Sequence, residues 1–224
     1  MGIGPTEGST IARTDGLNFY DSPALLERLS RALKKRSQEV VFLVGAPLSA
    51  PVTVGEPGVP GVEGVIALIR GEFNDDPVQS EALTSALQAA GTRRYQAAFE
   101  FVQGRRGQGT VNEIVRKAVL AARIPGSASA NQSIDSYAMG DDTCRRLETD
   151  SQGWVLGPGT EYLGKLVAEY PARFGACILT TNFDPLVEVA IRRAEGVQYR
   201  TILHSDGNLG QTEAPGCHVV HLHG

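Results

Sequence analysis

Hydrophobic positions along the chain fall into two kinds of segment, short unbroken apolar runs and longer stretches with a helical period. The runs Val40–Val44, Ala176–Thr181 and Cys217–His221, with the more polar Gln198–Leu203, are bounded by glycines or polar clusters and predict strands. Apolarity throughout Val40–Val44 predicts a strand buried on both faces by helices. Ser22-Pro23 reads as a helix N-cap with proline at the first helical position, followed by Leu25, Leu29 and Leu33 on one face. That helix is expected to end in Lys34-Lys35-Arg36, whose cations suit its negative end. A Pro- and Gly-rich loop from Pro47 to Gly61 follows the first strand, and Val62, Val65, Ile66 and Ile69 then mark a helix.

From Asp76-Pro77 to about Asp150 the period is helical: Leu83, Leu87 and Ala90, then Tyr95, Phe99 and Val102. Thr110-Val111-Asn112-Glu113 has the form of a capping box heading a helix that reaches Arg123 and stops at Pro125-Gly126. The small polar residues of Gly126–Ser136 read as a flexible connection. Helices over Glu161–Tyr170 and Pro185–Ala194 then alternate with the later strands. Such alternation predicts an α/β class, a Rossmann-like parallel sheet flanked by helices with right-handed crossovers. The expected organisation is a flexible lead-in over 1–21 and one domain over 22–224, carrying a helical insertion at about 76–150. Because His223-Gly224 directly follows a strand, the sheet is expected to be incomplete at the C-terminus and the polypeptide to continue.

An apolar fraction of 42% in 224 residues is ordinary for a globular protein. A net charge of -4 and a pI near 5.6 argue against a general nucleic-acid binder, which needs a concentrated basic surface. The pairs Arg93-Arg94, Arg105-Arg106 and Arg192-Arg193 read as solvated helix faces. Cys144, Cys177 and Cys217 are widely spaced, so neither a disulfide framework nor a zinc site is signalled, and a reducing cytoplasm is expected. No apolar run is long enough for a membrane span, and the start lacks the regions of a signal peptide. Gly2 and Thr6 fit a permissive acylation pattern, which reads as chance.

The candidate chemistry gathers at strand ends. In an open α/β sheet, ligands bind outside the carboxyl ends of the strands. Gly45-Ala46 after the first strand is a place where backbone can approach a pyrophosphate, or simply a turn. Ser49 offers a hydroxyl to a phosphate, and Gly58-Val59-Pro60-Gly61 a loop to close over a ligand; both also read as turn residues. Asn182 ends a strand with an amide that suits a sugar hydroxyl or a water. Asp184 before Pro185 fits a helix N-cap, a role that leaves one oxygen for a ligand. Of His221 and His223, His223 lies nearer the carboxyl end of the strand and is the favoured general base. A third metal ligand with suitable spacing is not evident, so no metal is expected.

Gly45-Ala46-Pro47-Leu48-Ser49, Gly58-Val59-Pro60, Thr180-Thr181-Asn182-Phe183-Asp184 and His223-Gly224 resemble, in order, the Gly-Ala-Gly-x-Ser, Gly-Ile-Pro, Thr-Gln-Asn-Ile-Asp and His-Gly motifs of the Sir2 (sirtuin) superfamily. The pattern looks nearest to the NAD-consuming Sir2-like domains of bacterial antiphage proteins. The resemblance implies an NAD site with Gly45, Ala46 and Ser49 near the phosphates, Asn182 near the nicotinamide ribose and Asp184 toward the carboxamide. It also implies Pro60 and Thr181 among the NAD contacts and His223 as catalytic base. NAD is then a substrate, hydrolysed to nicotinamide and ADP-ribose; an NAD-dependent protein deacylase or a non-catalytic NAD or ADP-ribose sensing module are the alternatives. A fused domain beyond Gly224 is the implied partner, and a homo-oligomer is compatible with the sequence. Two departures stand out. Pro47 replaces a glycine and removes one N–H, and Thr181 replaces a glutamine, both more natural in a hydrolase than in a deacylase.

Overall fold

The computed structural model describes residues 20–34, 40–125, 140–202 and 216–222. The chain divides into two units, Met1–Val40 and Val41–Gly224. The first contains helix α1 (Ser22–Lys34). Its cap is Asp21 rather than the expected Ser22: the Asp21 carboxylate accepts the Ala24 N–H at 2.9 Å. A carboxylate one position earlier reaches the same orphan donors and also suits the positive end of the helix.

The second unit contains β1 (Phe42–Val44), α2 (Val62–Gly71), α3 (Pro77–Ala90), α4 (Arg94–Arg106), α5 (Gln108–Leu120), α6 (Asp141–Thr149), α7 (Pro158–Glu169), α8 (Pro171–Phe174), β2 (Cys177–Thr180), α9 (Leu186–Arg193), β3 (Gln198–Ile202) and β4 (Cys217–His221). The architecture is α/β. Among the described residues, four strands form one sheet in the order β1-β2-β4-β3, and every neighbouring pair is parallel. Among the described residues only helices and turns lie between β1 and β2, apart from one antiparallel bridge joining Arg123 to Trp154. None of the described helices is long and apolar enough to cross a membrane.

Alternation along the strands sorts the sheet into two faces. Ile178, Thr180, Val219 and His221 share one face and are buried. Leu43 and Leu179 lie in register on the other, where Leu43 is 68% exposed. β1 is therefore not enclosed on both faces as its apolar run predicts; it is a three-residue strand at one edge of the described sheet. α9 is the element most deeply enclosed, with Leu186 through Ile191 all buried. It packs on α7, where a Cβ at Gly164 would fall 2.5 Å from the Ala190 carbonyl.

The helices α2 to α5 form a core of their own, with Ile66, Ile69, Phe73, Leu83, Val102 and Ile114 at its centre. The capping box expected at Thr110 is not the head of α5. The helix begins two residues earlier behind Gly107, whose φ of 86° turns the chain sharply out of α4. Glycine enters that left-handed region without a side-chain penalty, so the corner falls there and Thr110 lies inside the first turn. α5 also ends at Leu120, short of the expected Arg123.

Candidate functional site

The site begins where β2 leaves the ladder. Thr180 is the last residue of β2, and its Oγ1 accepts the Asn182 N–H at 3.0 Å, so the strand's own side chain takes over from the sheet. Beyond it the chain keeps an alternating burial: Asn182 and Asp184 are buried and Thr181 and Phe183 exposed. Period two in an extended segment thus turns the amide and the carboxyl inward together.

Ser49 arrives from β1. After Gly45 the chain makes a single 3-10 turn over Ala46–Leu48, with Pro47 near its start, a position where a missing N–H costs nothing. The turn uses the N–H groups of Leu48, Ser49 and Ala50 for its own bonds, which leaves these amides no free proton for a phosphate. It is fixed by the Val59 N–H on the Ser49 carbonyl at 2.9 Å and by the Thr160 hydroxyl on the Leu48 carbonyl at 2.6 Å. Gly45 is a close approach, since a Cβ there would stand 3.1 Å from Thr181 Oγ1. Gly58 is a closer one, because a Cβ would meet the Pro51 nitrogen at 2.5 Å.

These segments converge on a hydrogen-bond chain. Asn182 Nδ2 donates to Ser49 Oγ at 2.9 Å, and the Ser49 hydroxyl donates to Asp184 Oδ1 at 3.0 Å. The Leu186 N–H also donates to Oδ1, at 3.1 Å, so Asp184 holds the first amide of α9 from one position ahead of the N-cap, which is Pro185 and not the expected Asp184. Burial pushes the Asp184 carboxyl above the ordinary carboxylate range, against the lowering effect of those two bonds. A carboxyl biased toward its neutral form can donate as well as accept.

The chain forms the polar side of a cavity of about 260 Å³. Its remaining walls are apolar: Val62 and Val65 from α2, Tyr95 and Phe99 from α4, Val115 and Val119 from α5. The Tyr95 and Phe99 rings meet edge to face, 5.0 Å between centroids, and burial raises the Tyr95 phenol above its ordinary value. The volume lies just under the roughly 300–1,000 Å³ of pockets for drug-sized ligands. It suits one aromatic ring with a sugar better than a whole dinucleotide.

Of the residues singled out from sequence, Ala46, Ser49, Pro60, Thr181, Asn182 and Asp184 line this one cavity, and Gly45 abuts Thr181 beside it. His223 lies outside the described residues. His221 faces the core instead: Nδ1 is 2.8 Å from the Asn182 carbonyl and Nε2 is 2.8 Å from Glu188 Oε1. Sequence reasoning passed over Glu188, although a carboxylate inside Leu186-Val187-Glu188-Val189-Ala190-Ile191 was a signal that it needs a buried partner. It also read Tyr95 and Phe99 as helix period alone. Elsewhere on the sheet, burial pushes the Cys177 thiol up and the Cys217 thiol up to about 12, which makes both poor nucleophiles. Among the described residues, no three His, Cys, Asp or Glu side chains gather where they could hold a metal ion.

The chain matches no known protein-family model, and no curated protein is significantly similar to it in sequence.

Proposed function

We propose that the chain is a Sir2-like, Rossmann-like NAD-binding domain that hydrolyses NAD to nicotinamide and ADP-ribose, acting as a cytoplasmic effector in antiphage defence. One observation carries the reading: Ser49, Asn182 and Asp184 are hydrogen-bonded to one another on the wall of a single cavity at the carboxyl ends of two adjacent parallel strands. The chemistry suits those groups. Nicotinamide leaves neutral from a pyridinium and needs no general acid, so the site must supply positioning, charge stabilisation and a base. Asn182 orients the ribose or the attacking water, Asp184 meets the carboxamide, and the aromatic wall of Tyr95 and Phe99 receives the ring. His223 is the proposed base.

Incubation of the protein with NAD tests the reading by chromatography. Nicotinamide and ADP-ribose should appear in equal amounts, and Asn182→Ala and His223→Ala should each abolish them. Persistence of intact NAD overturns the reading, and O-acyl-ADP-ribose formed from an acetylated peptide selects a deacylase. A second reading, a non-catalytic NAD or ADP-ribose sensing module, is favoured by the commitment of His221 to Glu188 and the Asn182 carbonyl. Tight binding without turnover selects it.

A further inference from the structure

His221 and Glu188 meet in the core directly behind Asn182, 5% and 2% exposed. A main-chain carbonyl only accepts, so His221 Nδ1 carries a proton and donates it to the Asn182 oxygen. One further proton lies between His221 Nε2 and Glu188 Oε1, either as imidazolium with carboxylate or as imidazole with carboxylic acid; both forms keep the 2.8 Å contact. Burying two titratable groups is costly unless their geometry is specific, and an apolar pair of similar volume would fill the space more cheaply.

Register explains its reach. His221 on β4 stands opposite Thr180, the last paired residue of β2, so its ring extends past the end of the ladder to the next turn of chain. There the Asn182 N–H is held by Thr180 Oγ1 and the Asn182 carbonyl by His221 Nδ1. With both main-chain groups pinned, the Cα–Cβ bond of Asn182 is fixed in direction, and from it the side-chain amide reaches Ser49 Oγ on the cavity wall. Neither Glu188 nor His221 is among the residues that line that cavity.

We infer that Glu188 and His221 are positioning residues: by holding the Asn182 carbonyl they set the angle at which the Asn182 amide enters the ligand cavity. Only the activity arm of the test rests on the NAD reading. An asparagine at 221 presents an N–H about where Nδ1 stands, toward Asn182, whereas a glutamine presents it about where Nε2 stands, toward Glu188. In the full chain labelled with ¹⁵N-asparagine, the Asn182 side-chain amide signal is identified by its loss in Asn182→Ala. His221→Asn should leave that signal near its wild-type position, and His221→Gln should shift or broaden it. Nicotinamide release should follow the same order, with kcat falling by roughly ten- to a hundredfold in His221→Gln relative to His221→Asn and KM little changed.

An equal displacement of the Asn182 signal in both variants, or none in either, overturns the inference in favour of simple packing. If neither variant folds, Glu188→Gln and Glu188→Leu decide instead. The first keeps a hydrogen-bonding partner for Nε2 and should leave the signal in place, the second should move it, and an equal response overturns the inference. Intact NAD with the wild type would refute the hydrolase reading while the amide signal still decides the positioning role.

Discussion

Ser49 is the joint between the two strand ends, since it accepts from Asn182 and donates to Asp184. Ser49→Ala leaves a buried amide and a buried carboxyl short of a partner, and the unfolding free energy in urea should drop by about 1–3 kcal/mol. Asp184 gives a pH signature. Burial raises its folded pKa, so its contribution is fully present below the unfolded value of about 3.9 and is lost as pH rises through the folded value. Urea titrations upward from about pH 4 should show the wild type losing stability relative to Asp184→Asn; parallel curves would mean that the carboxyl is not perturbed. Asn182 and Asp184 were legible in the sequence because an apolar run ending in alternating polar residues turns them to one side. The role of His221 was not, because its partner Glu188 comes from a helix and their meeting depends on the register of β4 against β2.

Strands and helices were readable at this coarser level wherever one period dominated, and least readable at corners. All four strands lie where the apolar runs place them, whereas α5 starts at a glycine corner that a stronger-looking capping box concealed. The exposure of Leu43 was hidden for a different reason: an apolar run reports that a strand suits burial, not which neighbours cover it. The seat of α9 rests on a small residue in α7. Gly164 allows the Ala190 backbone to approach, and an added methyl would lie 2.5 Å from that carbonyl, where backbone must move to admit it. Gly164→Ala should lower the thermal midpoint and cost about 1–3 kcal/mol by overpacking, despite the better helix propensity of alanine. An unchanged or raised midpoint would mean that the two helices are not in close contact there.

At the level of the whole molecule, the helices inserted between β1 and β2 complete the site. α2, α4 and α5 supply the apolar walls over a polar floor built from strand ends, so these helices shape the cavity as much as the sheet does. The sequence pointed to the floor through its short ordered motifs, and it could not point to the walls, because Tyr95 and Phe99 serve a helix period and a cavity with the same spacing. The direct test is a calorimetric titration of the wild type and Asn182→Ala with an NAD analogue whose nicotinamide ribose is carbocyclic and so resists cleavage. Saturable binding by the wild type, weakened at least tenfold in Asn182→Ala by loss of a buried polar contact, is the expected result. No binding by the wild type, or equal affinity in both proteins, would contradict a nicotinamide riboside seat at the ends of β1 and β2.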